Sequence, residues 1–192
     1  MRIPSIILVS VASFVCSAGV GKAAVILNMD PISNVANTVN FSTVVSGDPL
    51  NTFSANGVNV TANPGSSAVF QSGVFGDDYV NTDGFHYTGD SDYTEVSRID
   101  DELIYAISFV IGEGEATGES TIDLAWRSEL SGVFTIDTAT VTRGSIVHLS
   151  DLVDGFDRIQ LAASAESLDT GIFTQVFPFS LTQAIAIDDL QV

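Results

Sequence analysis

Nine carboxylates crowd residues 77–102: Asp77, Asp78, Asp83, Asp90, Asp92, Glu95, Asp100, Asp101 and Glu102. A hard cation such as calcium takes about six to eight oxygen ligands, often from a flexible acidic loop. Asp90, Asp92 and Glu95 can supply several of them. Residues 79–90 faintly echo a calcium loop, with Asn81, Asp83 and Gly84 in place, but Tyr79 stands at the first ligand position and the motif fails. The competing reading is a solvated acidic loop that keeps the chain soluble. The same stretch holds Tyr79, Phe85, Tyr87 and Tyr93, with Gly76, Gly84 and Gly89 free to turn the backbone. Aromatic rings on a polar, glycine-rich loop can serve as platforms for a sugar.

A second cation candidate closes the chain. Residues 184–192 read AIAIDDLQV. Ile185 and Ile187 share one parity, whereas Leu190 and Val192 share the other. A bulge at Asp188-Asp189 reconciles the two and turns one carboxylate inward. A buried carboxylate needs a cation or several hydrogen-bond donors. Calcium and the capping of neighbouring N–H groups are the two ways of meeting that need.

Catalytic motifs are poorly represented. His86 and His148 sit in unrelated contexts, and there is no His-Glu-x-x-His zinc motif. There is no Gly-x-Ser-x-Gly nucleophile elbow. Gly112-Glu113-Gly114-Glu115 is acidic and would repel phosphate. Carboxylate pairs for glycoside hydrolysis are available only in the sense that acids are abundant. Trp126, the sole tryptophan, shares parity with Ile122 and Leu124, which assigns it to a core rather than to a sugar platform.

Composition narrows the partners. The 192-residue chain has 6 basic and 24 acidic residues, a net charge of −18. Phosphate-backbone recognition needs a basic footprint, so nucleic acid is excluded. A polybasic membrane attachment is disfavoured on the same ground. Arg2 followed by an apolar run over residues 6–15 has the layout of a secretory signal peptide. Gly21 and Ala23 fit the −3 and −1 positions of a cut before Ala24, and a cut after Ala18 also fits. The run is shorter than the roughly 20 residues that span a bilayer. Residues 1–23 are therefore expected to be removed and residues 24–192 to form one exported domain, with no membrane anchor. That domain keeps four arginines and no lysine. The only cysteine, Cys16, leaves with the leader, so neither a disulfide nor a thiolate zinc site is expected.

The elements that must position these groups are strands. Residues 103–111 alternate Leu103, Tyr105, Ile107, Phe109 and Ile111 against a second apolar face, as in a central strand. Residues 121–128 alternate more cleanly. Further strands are expected over 39–45, 57–62, 132–137, 140–143, 158–163, 173–177 and 184–192. Turn-forming clusters such as Arg143-Gly144-Ser145 divide them. Residues 149–155 suggest one helical turn capped by Ser150. The expected fold is all-β: an antiparallel, jelly-roll-like β-sandwich with Ile107, Phe109, Leu124 and Trp126 in its core.

Four short pieces carry a resemblance: Gly57-Val58-Asn59-Val60-Thr61, Phe109-Val110-Ile111-Gly112, Gly155-Phe156-Asp157-Arg158-Ile159-Gln160-Leu161, and Ile187-Asp188-Asp189-Leu190. Together they resemble the β-sandwich region of exosortase-sorted (PEP-CTERM-type) bacterial surface proteins. The terminal strand is also similar to that of galactose-binding-like jelly-roll domains and carbohydrate-binding modules. In those domains an Asp near the end of the last strand helps hold a structural calcium. The chain stops at Val192 without the family's Pro-Glu-Pro sorting anchor, which implies release rather than surface attachment. The resemblance implies a secreted, non-catalytic extracellular matrix or cell-surface component. The alternatives are a glycan-binding module that uses calcium and loop aromatics, and a small secreted glycoside hydrolase.

Overall fold

The computed structural model describes residues 26–28, 32, 34–41, 48–49, 52–63, 68–70, 85–87, 93–113, 120–163, 165, 168 and 185–192. Fourteen strands run through them, all paired antiparallel: β1 (Ile26–Asn28), β2 (Thr38–Val39), β3 (Asp48–Pro49), β4 (Thr52–Ala55), β5 (Val58–Asn63), β6 (Ala68–Phe70), β7 (Phe85–Tyr87), β8 (Tyr93–Arg98), β9 (Ala106–Glu113), β10 (Thr121–Leu130), β11 (Val133–Thr142), β12 (Ile146–Ser150), β13 (Arg158–Ala162) and β14 (Ile185–Gln191). They form two sheets. Among the described residues the larger has eight strands, ordered β1-β12-β9-β14-β7-β6-β3 with β2 also on β14. The smaller has six, ordered β11-β10-β13-β8-β5-β4. Among the described strands, successive ones from β8 onward alternate between the sheets except for the β10–β11 hairpin, giving the all-β sandwich expected of this sequence.

Alternation explains which faces meet. Ile107, Phe109 and Ile111 of β9, Val147 and Leu149 of β12, and Ile185, Ile187 and Leu190 of β14 line the inner face of the large sheet. Val58, Val60, Val96, Ile122, Leu124, Trp126, Ile159 and Leu161 come from the small one. All of these join one core. Trp126 is 4% exposed, as its parity with Ile122 and Leu124 requires. Two hairpins use two-residue turns with both central residues left-handed: Asn56-Gly57 (φ 50° and 82°) and Ser131-Gly132 (φ 51° and 78°). This handedness matches the right-handed twist of paired strands, which is why Gly is favoured there.

Several expectations need correction. Tyr105 does not share the core face with Ile107. β9 starts only at Ala106, and Ile104 instead forms a lone bridge to Phe156, with N–H···O bonds of 2.9 and 2.8 Å exchanged between them. The break in alternation buries Ile104 and leaves Tyr105 exposed. Gly155 makes this possible: at φ +69° a Cβ would lie 3.0 Å from the Ile104 carbonyl and 3.1 Å from the Tyr105 ring. Residues 132–137 and 140–143 are not two strands but the single β11, because Thr138 and Ala139 fit a pleated edge and nothing there turns the chain. The expected single helical turn at 149–155 is closed by the Gly155 N–H donating to the Asp151 carbonyl at 3.2 Å, but its cap is Asp151, not Ser150. The Asp151 Oδ1 accepts the N–H groups of Val153 and Asp154, both at 3.1 Å. The acidic stretch is not all loop, since β7 and β8 run through it. The strand expected at 173–177 lies outside the described residues, as does most of 39–45.

Candidate functional site

The terminal bulge forms where the side-chain parity demanded it. The register of β14 against β9 shifts between Asp188 and Gln191, and Asp189 takes φ +48°. Ile187 and Leu190 thereby both reach the core. Asp188 is 2% exposed, while Asp189 faces solvent. The bulge also marks a change of neighbour: Ala186 and Ile187 pair with β7, whereas Leu190 and Gln191 pair with β2. The Asp188 Oδ1 accepts the Asp189 N–H at 2.7 Å, so part of its need is met by the backbone. Among the described residues no three His, Cys, Asp or Glu side chains gather as a metal-holding group. Asp188 and Asp189 would thus be only part of the shell a calcium ion takes.

The other candidate residues do not converge on this bulge. Asp90, Asp92 and Tyr79 lie outside the described residues. Phe85 and Tyr87 belong to β7, paired with β6 and β14, rather than to a loop. Tyr93 opens β8 and is 6% exposed, packed with Ala125, Ala162 and Leu168, so it is not a ligand platform. Glu95, in the other sheet from Asp188, accepts the Gln160 Nε2 at 2.9 Å and lies 3.7 Å from the Arg158 Nη1. It is part of a charge network across β8, β13 and β10. Arg158 reaches Glu129 at 2.9 Å, Glu129 reaches Arg127 at 3.0 Å, and Arg127 donates to the Gln160 Oε1 at 3.3 Å. The Arg127 guanidinium also stacks 4.3 Å over the Phe134 ring. Two arginines here answer two glutamates, so the charges balance within the network and it reads as structural, although the Arg127 Nε and Glu129 Oε2 are buried without a hydrogen-bond partner among the described residues.

The residues that line an open site are different ones. A cleft of about 390 Å³ runs between the start of β9, the end of β12 and residues 32–36. Its wall includes Tyr105, His148, Ser150, Asn34, Arg98 and Leu152. Two of these are held by features already described: the Ile104–Phe156 bridge leaves Tyr105 with 48% of its surface exposed, and the Asp151-capped turn presents Leu152. His148 pairs with Ser108 of β9 and Asn28 of β1. Its Nδ1 is buried and makes no hydrogen bond. A buried nitrogen without a partner among the described residues costs about 1–3 kcal/mol. Alternation alone puts Tyr105 on the face of Ile107, and His148 belongs to no motif. Neither had a sequence signal, because a broken alternation and a long-range pairing bring them together.

Arg98 supplies the cation at this wall. Its Nε donates to the Asp100 Oδ1 at 2.8 Å, and its Nη2 contacts the Asp100 Oδ2 at 2.5 Å and Glu102 at 3.3 Å. The side-chain hydrogen bond from Arg98 pulls the Asp100 carboxyl down to about 2, from 3.8 for an ordinary Asp. With the folded value below the unfolded one, the clamp's contribution is present above pH 3.8 and is lost as the pH falls to about 2. In a carboxyl NMR titration Asp100 is expected to protonate near pH 2. A midpoint at the ordinary Asp value would show that the clamp does not persist in solution.

Comparison with protein-family models, with curated proteins and with solved structures finds no match to this chain.

Proposed function

We propose that this chain is an exported, non-catalytic β-sandwich protein of the extracellular matrix or cell surface, and that its cleft binds a sugar or a similar small polar ring. The single observation that carries the binding role is the make-up of that cleft. Tyr105, with 48% of its surface exposed, lies in the same wall as His148, Ser150 and Asn34, which bring imidazole, hydroxyl and amide chemistry to it. Mixed apolar walls with a few convergent polar groups are what small-ligand sites share. Export is supported by Arg2, the apolar run at 6–15 and the small residues before Ala24. N-terminal sequencing of secreted protein that still begins with Arg2 and this run would refute it.

A glycan array followed by titration calorimetry tests the binding role. Wild-type protein is expected to retain a defined glycan class. Tyr105→Ala and His148→Ala should each weaken binding about tenfold, equivalent to about 1.4 kcal/mol. An array with no binder, or a binder indifferent to both changes, rejects this reading.

A structural calcium is the second reading, favoured by one observation: a carboxylate, Asp188, sits 2% exposed in a chain of net charge −18. Asp188 and Asp189 would contribute carboxylate oxygens, with further ligands from elsewhere in the chain. Calcium at a hundredfold excess over its dissociation constant stabilises by about 2.7 kcal/mol. A melting curve at fixed ionic strength should therefore rise with calcium and fall with chelator, and Asp188→Asn should abolish the difference. Melting that ignores both additions leaves Asp188 as a backbone cap.

A further inference from the structure

We infer that the free edge of β11 is a self-association surface, on which the β11 strand of a second copy pairs antiparallel to make one sheet continuous across two molecules. β11 ends the six-stranded sheet and, among the described residues, has β10 as its only neighbour. It is ten residues long, whereas the opposite edge, β4, has four. Exposed edges are normally blunted by lysine, proline, bulges or shortness. β11 has none of these, and its register against β10 runs unbroken from Val133 to Thr142. In a chain of net charge −18 it carries one charge, Asp137, so a second copy meets little repulsion along this line.

The ladder fixes which groups are on offer. The two-residue turn at Ser131-Gly132 makes Leu130 and Val133 a hydrogen-bonded pair, and such pairs then recur at every second residue. The N–H and C=O groups of Phe134, Ile136, Thr138 and Thr140 consequently point away from β10. A two-fold axis normal to the sheet keeps opposed residues on the same face. Centred on Thr138, it sets Thr138 against Thr138 and Ile136 against Thr140, all with outward backbone groups that can exchange hydrogen bonds. Centred one residue earlier, it sets Asp137 against Asp137, and like charges directly opposite one another are destabilising. Of these two registers for a second copy, the strand's chemistry favours the Thr138-centred one.

Analytical ultracentrifugation of the full chain tests this inference. Wild type is expected to shift from monomer to dimer across a dilution series. Thr138→Pro removes an outward N–H without touching the β10 ladder, and proline is tolerated on an edge whose N–H faces solvent. That variant should remain monomeric with an unchanged circular dichroism spectrum. As a second measurement, Thr138→Cys in a Cys16→Ser background should form an intermolecular disulfide under mild oxidation, and Thr142→Cys should not. Wild type that stays monomeric throughout, a dimer indifferent to Thr138→Pro, or equal cross-linking at both cysteine positions overturns the inference. None of these outcomes bears on the cleft, whose lining includes no residue of β11.

Discussion

Phe109→Ala is expected to cost about 3–5 kcal/mol of folding free energy. The side chain is 0% exposed and lies on β9, where β12 pairs on one side and β14 on the other. Truncation loses the transfer free energy of the ring and leaves a cavity that neighbouring strands, held by their ladders, can fill only in part. For a chain of this length the melting temperature should fall by roughly 6–20 °C. Phe109→Leu, which keeps most of the volume, should lose much less. A loss below about 1 kcal/mol for the alanine variant, measured by urea unfolding, would mean that the two sheets do not close on this residue.

Glu129→Gln should cost about 3 kcal/mol, for a different reason. Arg127 and Glu129 expose 9% and 12% of their side chains, and Glu129 also holds Arg158. Removing the carboxylate charge strands a guanidinium whose remaining contacts are the Gln160 amide and the Phe134 ring. Breaking one partner of a buried pair is far more damaging than replacing both, because the survivor stays desolvated and uncompensated. The double change Arg127→Leu with Glu129→Leu should therefore be milder than Glu129→Gln alone. If the double variant proves the worse of the two, the pair contributes net stability of its own, and the argument from desolvation fails here.

Much of the architecture was legible because side-chain parity is a local property. Residues 121–128 announce β10, and the switch between Ile187 and Leu190 announces the bulge at Asp188-Asp189, each from neighbouring positions alone. What was hidden depends on contacts across the chain. Tyr93 looks like a loop aromatic until Ala162 and Leu168 cover it. Glu95 looks like a cation ligand until β13 places Gln160 and Arg158 beside it. The cleft was hidden most completely, since Tyr105 leaves the core face only because Ile104 is captured by Phe156, 52 residues further along the chain. The asymmetry is physical: strand period is written in adjacent residues, whereas a binding surface is assembled from pairings that no short window contains.

The position of β14 has a consequence for the order in which the molecule can form. Although last along the chain among the described strands, it lies inside the large sheet, between β9 on one side and β7 and β2 on the other. The earlier strands cannot join into that sheet until residues 185–191 arrive. Pairings of such long sequence separation are slow to close, so refolding should fall in the millisecond-to-second range typical of β-sandwiches. The β10–β11 hairpin, joined by a two-residue turn, is the natural first piece. During synthesis from the N-terminus the large sheet thus stays open until residues 185–191 are available, so its closure is a late event whatever forms first.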